Sequence, residues 1–463
     1  MLSKNNIDDL KNILKNDNVL SEKEERYCYA EDAANLNHIE ALPDAVVFVE
    51  TVDDVQKVLK YANQHLIPVV ARGAGTNMVG ACVCNKGGIV LNFSRMNKIL
   101  DFNPSDMTMK VQPGVVLNDI KKLAESKGLM YPPDPSNYRV STIGGSIAQS
   151  SGGAKSFKYG TTKDYILSMK VVLSDGTLVQ LGTPTVKDAV GYHLNQLIVG
   201  SEGTLAIVVE ADLKLIPKPN ESRLIVSYYK TYSDAINSVN NILSSGIFPS
   251  TIDFMDQNSI TTVENYASCG FKSEYECLVL IELDGVDSES MNAQENKTIN
   301  LLKSSGAVDI MSAKGSEQIE KIWTARQSSY AAAAKLGPDV VSDDIIVPRS
   351  KLAEMLEFSK SISEKYNLNM CIVGHIGDGN IHPQFVLDLY KDEDFKNYIN
   401  AKSEMYKMAV SLGGTISSEH GVGLEKMSYA EEILDKSALE YMRSIKKLFD
   451  PNNILNPGKI FNL

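Results

Sequence analysis

Three glycine-rich segments fall in the first half of this 463-residue chain: "RGAGTNMVGA" from Arg72, "STIGGSIAQSSGGA" from Ser141 and "GSEGTLAIV" from Gly200. One such run reads as a plain tight turn. Three, set between segments of regular apolar spacing, describe a backbone that must approach something other than side chains. Successive N–H groups free of side-chain obstruction form a nest for an anion such as a pyrophosphate. The two familiar nucleotide signatures are absent. There is no G-x-G-x-x-G in the first run, and Gly75-x4-Gly80 is followed by Ala81 rather than the Lys-Ser/Thr of a P-loop, which disfavours a Rossmann or ATPase fold.

Around these loops the pattern is that of an α+β module. Thr51 is placed to cap a helix, with Asp54 three residues on and Val55, Val58, Leu59 and Ala62 on one face. "IPVVA", "GGIVLNFS" and "MTMKVQPGV" read as strands, and a helix is expected from Asn118 to Ser126. Residues 131–165, rich in Pro, Gly and Ser between structured flanks, read as a binding loop. "MKVVLSDGTLVQLG" predicts a hairpin with a type I′ turn at Asp175-Gly176, and "LIVGSEGTLAIVVEADLKLIPKP" two more strands. Pro217 and Pro219 mark a boundary. Beyond it, a strand-helix-strand, strand-helix-strand order predicts a ferredoxin-like antiparallel sheet with helices on one face.

The totals narrow the function classes. A chain this long predicts two domains, and 43% hydrophobic with 22% charged residues describes a globular protein rather than a disordered one. A net charge of −12 without a Lys/Arg block argues against a nucleic-acid partner. No apolar run is long enough for a transmembrane segment, and the amino terminus lacks a signal-peptide pattern, so a cytoplasmic location is expected. Six cysteines without a CxxC pair do not suggest a disulfide framework or an iron–sulfur cluster; Cys82 and Cys84 read as packing thiols.

Two of only six histidines flank one turn in "GHIGDGNIHP". If Asp378-Gly379 forms a two-residue turn, His375 lies opposite His382 on one face, with Cβ atoms about 5 Å apart. The imidazoles then converge on one ion. "SSEHGVG" offers Glu419 as a third ligand and His420 as a base. A His/His/carboxylate set suits a borderline divalent metal such as Fe, Zn or Mn. The alternative is a histidine pair bonded to backbone carbonyls beside a capping glutamate.

Taken in order, "RGAGTNMVGA", "PPDPS", "TIGGSIAQSSGGAKSFKYG", "VVLSDG", "GSEGTLAIV", "GHIGDGNIHP", "SSEHGVG" and "FDPNNILNPGK" resemble the FAD-dependent 2-hydroxyacid dehydrogenases of the vanillyl-alcohol-oxidase type. That group includes D-lactate dehydrogenases, glycolate oxidase flavoprotein subunits and D-2-hydroxyglutarate dehydrogenases. The resemblance implies a two-part FAD domain, residues 1–220 and a C-terminal helical segment from 413, around a substrate domain of residues 221–412. Gly73, Ala74, Gly75, Thr76, Asn77, Gly144, Gly145 and Ser146 would line the pyrophosphate, and Gly152, Gly153 and Ala154 would run past the flavin. Pro132, Asp134, Thr142, Tyr159, Glu202, Gly203 and Ile207 would also touch the cofactor, with Asn456 near the flavin ring. Thr76 and Asn77 stand where relatives with covalent flavin carry histidine, so noncovalent FAD is expected. Many glycolate oxidase relatives have Gly-Leu-Ser where this chain reads Asn77-Met78-Val79.

The same resemblance assigns Arg326 to the substrate carboxylate, with Tyr330 one helical turn on; a surface salt bridge is the other reading of that arginine. Ser342, where some dicarboxylate-oxidising relatives carry Lys, favours a small monocarboxylate such as lactate. A 2-hydroxy acid would chelate the metal, His420 would take the hydroxyl proton, and hydride would pass to flavin N5. Within the group the chain resembles the lactate dehydrogenase subunits that acetogenic bacteria pair with an electron-transfer flavoprotein, which implies that partner and electron bifurcation. The rival readings are an oxygen-using flavin oxidase, a flavin-free metal-dependent hydrolase built on the same histidines, and a noncatalytic electron carrier.

Overall fold

A computed structural model describes residues 2–34 and 41–463. The chain divides into two compact units, one of Met1–Gly152, Thr161–Lys218 and Glu419–Leu463, the other of Gly153–Gly160 and Pro219–Ser418. Each is α+β.

In the first unit, strands Ala45–Phe48, Ile89–Asn92 and Val69–Arg72 lie parallel in that order, with Val19–Leu20 antiparallel at one edge. The helix Val52–His65 makes the crossover. Thr51 and Asp54 close a capping box, and Val55, Val58, Leu59 and Ala62 are buried, as their spacing predicts. It stops at Leu66, in a left-handed conformation, two residues before Pro68. The other edge, Val69–Arg72, is met by the chain's tail, where Asn456 N donates to Val69 O at 2.8 Å. Covering that edge leaves no open ladder beside the first glycine loop.

The unit's second sheet is antiparallel, in the order Ile99–Asn103, Thr108–Val111, Ile207–Lys214, Ile166–Val172 and Leu178–Gly182. Ile99–Asn103 has no sequence signal, because it is a half-exposed edge without apolar alternation. The hairpin turn also differs from expectation. Leu173 N donates to Thr177 O and Gly176 N to Leu173 O, so the loop is Ser174-Asp175-Gly176 with only Gly176 at positive φ, where type I′ would need two such residues. The two strands expected in "LIVGSEGTLAIVVEADLKLIPKP" are Ile207–Lys214 and Ile216–Pro217, and its first residues close a short helix, Leu194–Ile198. The helices Leu117–Glu125 and Ile143–Gln149 pack Ile120 and Ile147 on Val111, Val171 and Leu213 of the sheet.

The second unit is built on one antiparallel sheet, ordered Asp309–Lys314, Glu221–Tyr229, Cys277–Gly285, Thr251–Asp256, Asn369–Gly374, Asn380–Leu387, Asp339–Ser342. Its first four strands have the fourth-first-third-second order of a ferredoxin-like motif. Helices cover both faces, not one. Leu224, Val226, Met255, Leu278, Leu280 and Val373 meet Gln257–Ala267 and Ser316–Gln327. On the opposite face Phe254 stacks edge-on against Tyr232 of the helix Tyr232–Ser244, with Ser288–Ser304 beside it. The reason is in the strands: residues 277–283 are buried at every position, so neither face can be left to water. Among the described residues no helix is long and apolar enough to cross a membrane, and all six cysteines are free.

Candidate active site

In the first unit the strand Val69–Arg72 runs into the first glycine loop, which closes on the start of the helix Ile143–Gln149. Thr142 caps that helix, and a Cβ on Gly73 would overlap its Oγ1. A Cβ on Gly144 would come within 2.6 Å of Pro113, and Gly75 sits at φ +71°. Side chains are therefore excluded where the loop and helix meet, leaving backbone to line a cleft. Gly73, Ala74, Gly75, Thr76, Asn77, Thr142, Gly145, Ser146, Gly152, Glu202, Gly203, Glu419 and His420 all border it. A second lobe behind Gly73 and Gly145 is apolar, walled by Phe93, Pro113, Ile198, Ile207 and Val208 and bordered by Gly144.

The segment carrying Glu419 and His420 is held from below. The Glu202 carboxylate accepts from Val422 N at 2.7 Å and Gly423 N at 2.9 Å. Burial pushes this carboxyl up to about 7, against the two amides and the charges of Lys459 and Lys426, which lower it. Asn77 Nδ2 donates to His420 O at 3.1 Å while its Oδ1 accepts from Val79 and Ala81 amides. Asn456 donates to Ala81 O and Glu202 O. Asn77 thus commits its whole amide group to shaping the loops, and Asn456 its NH2. Cys82 borders the cleft as a neutral thiol, burial pushing it up to about 12.

In the second unit a row of polar groups continues the sheet face that carries Met255 and Val373. Asp253 is 1% exposed; its Oδ2 is 2.6 Å from Arg326 Nε and its Oδ1 2.9 Å from His375 Nδ1. Burial alone would raise this carboxyl, but the charge of Arg326 and the hydrogen bond from His375 hold it below the usual range. His382 pairs with Val373, not with His375, because the turn is longer than two residues: Asp378 N and Asn380 N both reach back to His375 O, and Gly379 takes φ +93°. A register displaced by two keeps both imidazoles on one face. Their ring centres lie 5.2 Å apart as diagonal neighbours. His382 Nδ1 is 3.3 Å from Asp343 O. Fully buried Asp344 accepts from Asn380 Nδ2, Ser417 Oγ and Ser418 N at 2.7–2.9 Å, anchoring the chain just before Glu419.

Comparison with known proteins resolves the family. Residues 218–460 match the C-terminal domain of FAD linked oxidases, and residues 43–182 match an FAD binding domain. The chain belongs to the FAD-linked oxidase family. It is 39% identical to the glycolate oxidase subunit GlcD of Bacillus subtilis, over 94% of this chain and 92% of that one. Identity to a D-lactate dehydrogenase of Anaerostipes hadrus is 34%, covering 91% and 90%. The structure of p-cresol methylhydroxylase with substrate bound superposes with a TM-score of 0.82 at 17% identity, covering 98% of this chain and 96% of that one. The fold is of the vanillyl-alcohol-oxidase type, and the protein is an FAD-linked oxidoreductase.

The first unit's cleft fits FAD on its own chemistry. Ser141 Oγ, Ser146 Oγ and Gln149 Oε1 border it, buried and without a protein hydrogen-bond partner among the described residues. Such orphans call for a ligand. The second lobe adds an apolar wall behind the same loops. Of the residues expected at the cofactor, Pro132 and Asp134 lead into Pro135–Asn137 at the rim, while Gly153, Ala154 and Tyr159 belong to the second unit, where the Tyr159 hydroxyl donates to Asp284 at 2.6 Å. Tyr330 does not continue the helix of Arg326. That helix ends at Gln327, a new one starts at Ser329, and the Tyr330 hydroxyl donates to Val340 O at 3.0 Å. Ser342 pairs with Gln384, whose Nε2 is 3.5 Å from Ser329 Oγ.

Asp253, Asp343, Asp344 and Gln384 were not foreseen. A signal existed for the first: a carboxylate inside "STIDFMD", a strand buried on both faces, has to be paired.

Proposed function

We propose that the protein is a cytoplasmic FAD- and metal-dependent dehydrogenase that oxidises D-lactate, or a similarly small 2-hydroxy acid, to the 2-oxo acid. Electrons then pass to an electron-transfer flavoprotein. The observation that carries this reading is the Arg326–Asp253–His375 chain beside His382, which sets a guanidinium next to two convergent imidazoles. His375 Nδ1 lies against Asp253 and His382 Nδ1 against Asp343 O, the arrangement by which an outer carboxylate or carbonyl orients an imidazole ligand, so the donor set fits a metal.

In this reading residues 1–220 with the tail from 413 hold noncovalent FAD, and residues 221–412 bind substrate. His375, His382 and Glu419 hold one metal ion. Bound FAD accepts a hydride at N5, and a bound divalent ion acidifies a chelated hydroxyl. Arg326 grips the substrate carboxylate and Tyr330 narrows the pocket. His420 takes the hydroxyl proton as the α-carbon gives up its hydride. Glu202, Asn77 and Asn456 keep the turn at 419–423 and the glycine loops in register.

The identity to a glycolate oxidase subunit favours one second reading, glycolate as the substrate; D-2-hydroxyglutarate is a third within the same chemistry. Anaerobic titration of the yellow protein with D-lactate, L-lactate, glycolate and D-2-hydroxyglutarate separates them. D-Lactate is expected to bleach the flavin fastest. A flavin that none of the four reduces would sink the proposal.

A further inference from the structure

Asp253 is among the most enclosed charged groups of the second unit, and the mechanism above gives it no chemical step. A carboxylate this deep persists only when paired, and it has two partners, one on each oxygen. We infer that Asp253 is a positioning residue that couples Arg326 to His375, so that the grip on the substrate carboxylate and the grip on the metal are set by one buried group. The inference rests on the dehydrogenase reading.

The two partners are constrained in different ways. A carboxylate oxygen can only accept, so His375 must carry its proton on Nδ1 and present an Nε2 lone pair to a metal. Arg326 Nε stands 2.6 Å from Asp253 Oδ2 in a buried ion pair and Nη1 donates to Ser329 Oγ at 3.4 Å, which holds the guanidinium against the carboxylate and leaves Nη2 for a substrate carboxylate. An amide in the same place cannot serve both. If its NH2 group faced His375, the ring would adopt the tautomer protonated on Nε2 and lose its ligand atom. If it faced Arg326, two donors would meet and the guanidinium would swing away.

The test compares the holoprotein with Asp253→Asn and, as a control, Asp256→Asn. Asp256 lies on the same strand and is also buried, but it accepts from the backbone amides of Ser259 and Ile372 and makes no hydrogen bond or ion pair to Arg326 or His375. Metal affinity by chelator competition, KM and kcat for D-lactate, flavin absorbance and melting temperature are read for each. For Asp253→Asn, metal affinity is expected to fall about 10- to 100-fold, as for other groups behind a ligand, and KM to rise at least tenfold, with flavin retained. For Asp256→Asn only the melting temperature should drop. Asp253→Ser is measured alongside, so that a folding failure of one variant leaves the other to decide. Wild-type protein that holds metal and is reduced by D-lactate, with Asp253 variants no different from Asp256→Asn, overturns this inference alone. Wild-type protein that binds no metal overturns the metal-dependent reading beneath it as well.

Discussion

The cleft of the first unit is made by excluding side chains, whereas the polar row of the second is made of side chains alone. At Gly73 and Gly144 a single Cβ would collide with Thr142 or Pro113, so the backbone itself is the lining. At Asp253, His375 and His382 the backbone is ordinary ladder or turn, and everything depends on which face each residue takes. A backbone site therefore tolerates shifts between elements but no added atom. The side-chain site tolerates local changes but no slip in register.

The sharpest break of this contrast is a crossed pair of substitutions. His382→Ala should strip the metal and slow flavin reduction by D-lactate about 1000-fold, roughly 4 kcal/mol of barrier, while the protein stays yellow. Gly144→Ala should do the reverse, releasing flavin while metal content holds. Elemental analysis and absorbance read both, and a variant that lost both groups would show that the two sites are not independent. A smaller effect is expected from Arg326→Lys, which keeps the charge but not the fork. KM for D-lactate should rise about 10- to 100-fold, in line with a charged hydrogen bond of about 1.5–3 kcal/mol, with kcat changed less. Equal losses in KM and kcat would place Arg326 away from the ground-state carboxylate.

The smallest effect concerns the first unit. Glu202 has its folded pKa raised by burial to about 7 from 4.5, so its contribution to stability is complete at low pH and is lost as pH rises through about 7. Glu202→Gln removes that loss. Relative to wild type, the variant should gain up to about 3 kcal/mol between about pH 5 and about pH 8, offset throughout by about 1 kcal/mol for the amide that no longer finds a carboxylate oxygen. Melting curves of the holoprotein across that range check it. A pH-independent difference would mean that Glu202 stays ionised.

How much of this was readable beforehand follows from the same contrast. The helix Val52–His65, its cap and its buried face were legible because they depend on residues three and four apart. The glycine loops were legible as runs of glycine, although the steric demands on Gly73 and Gly144 come from Thr142 and Pro113, far along the chain. The edge strand Ile99–Asn103 was not, since its half-exposed residues carry no alternation. Helices on both faces of the second sheet were missed although the apolar run Cys277–Ile281 implied them. The histidine ribbon lies two residues off the register that a two-residue turn dictates, and Asp253 is one of two acids in a buried strand.

Without any fold, the order of residues already determined that a backbone nest would form beside capped helices and that two scarce imidazoles would share a ribbon face, because glycine conformation, capping and strand alternation act over a few residues. Only the folded chain decided that Asp253 would stand between Arg326 and His375, 73 and 122 positions away, and that Glu202 would carry the turn at 422 and 423. Those pairings are settled by strand order and burial, which withdraw the charges from water and leave each only the partner that the register supplies.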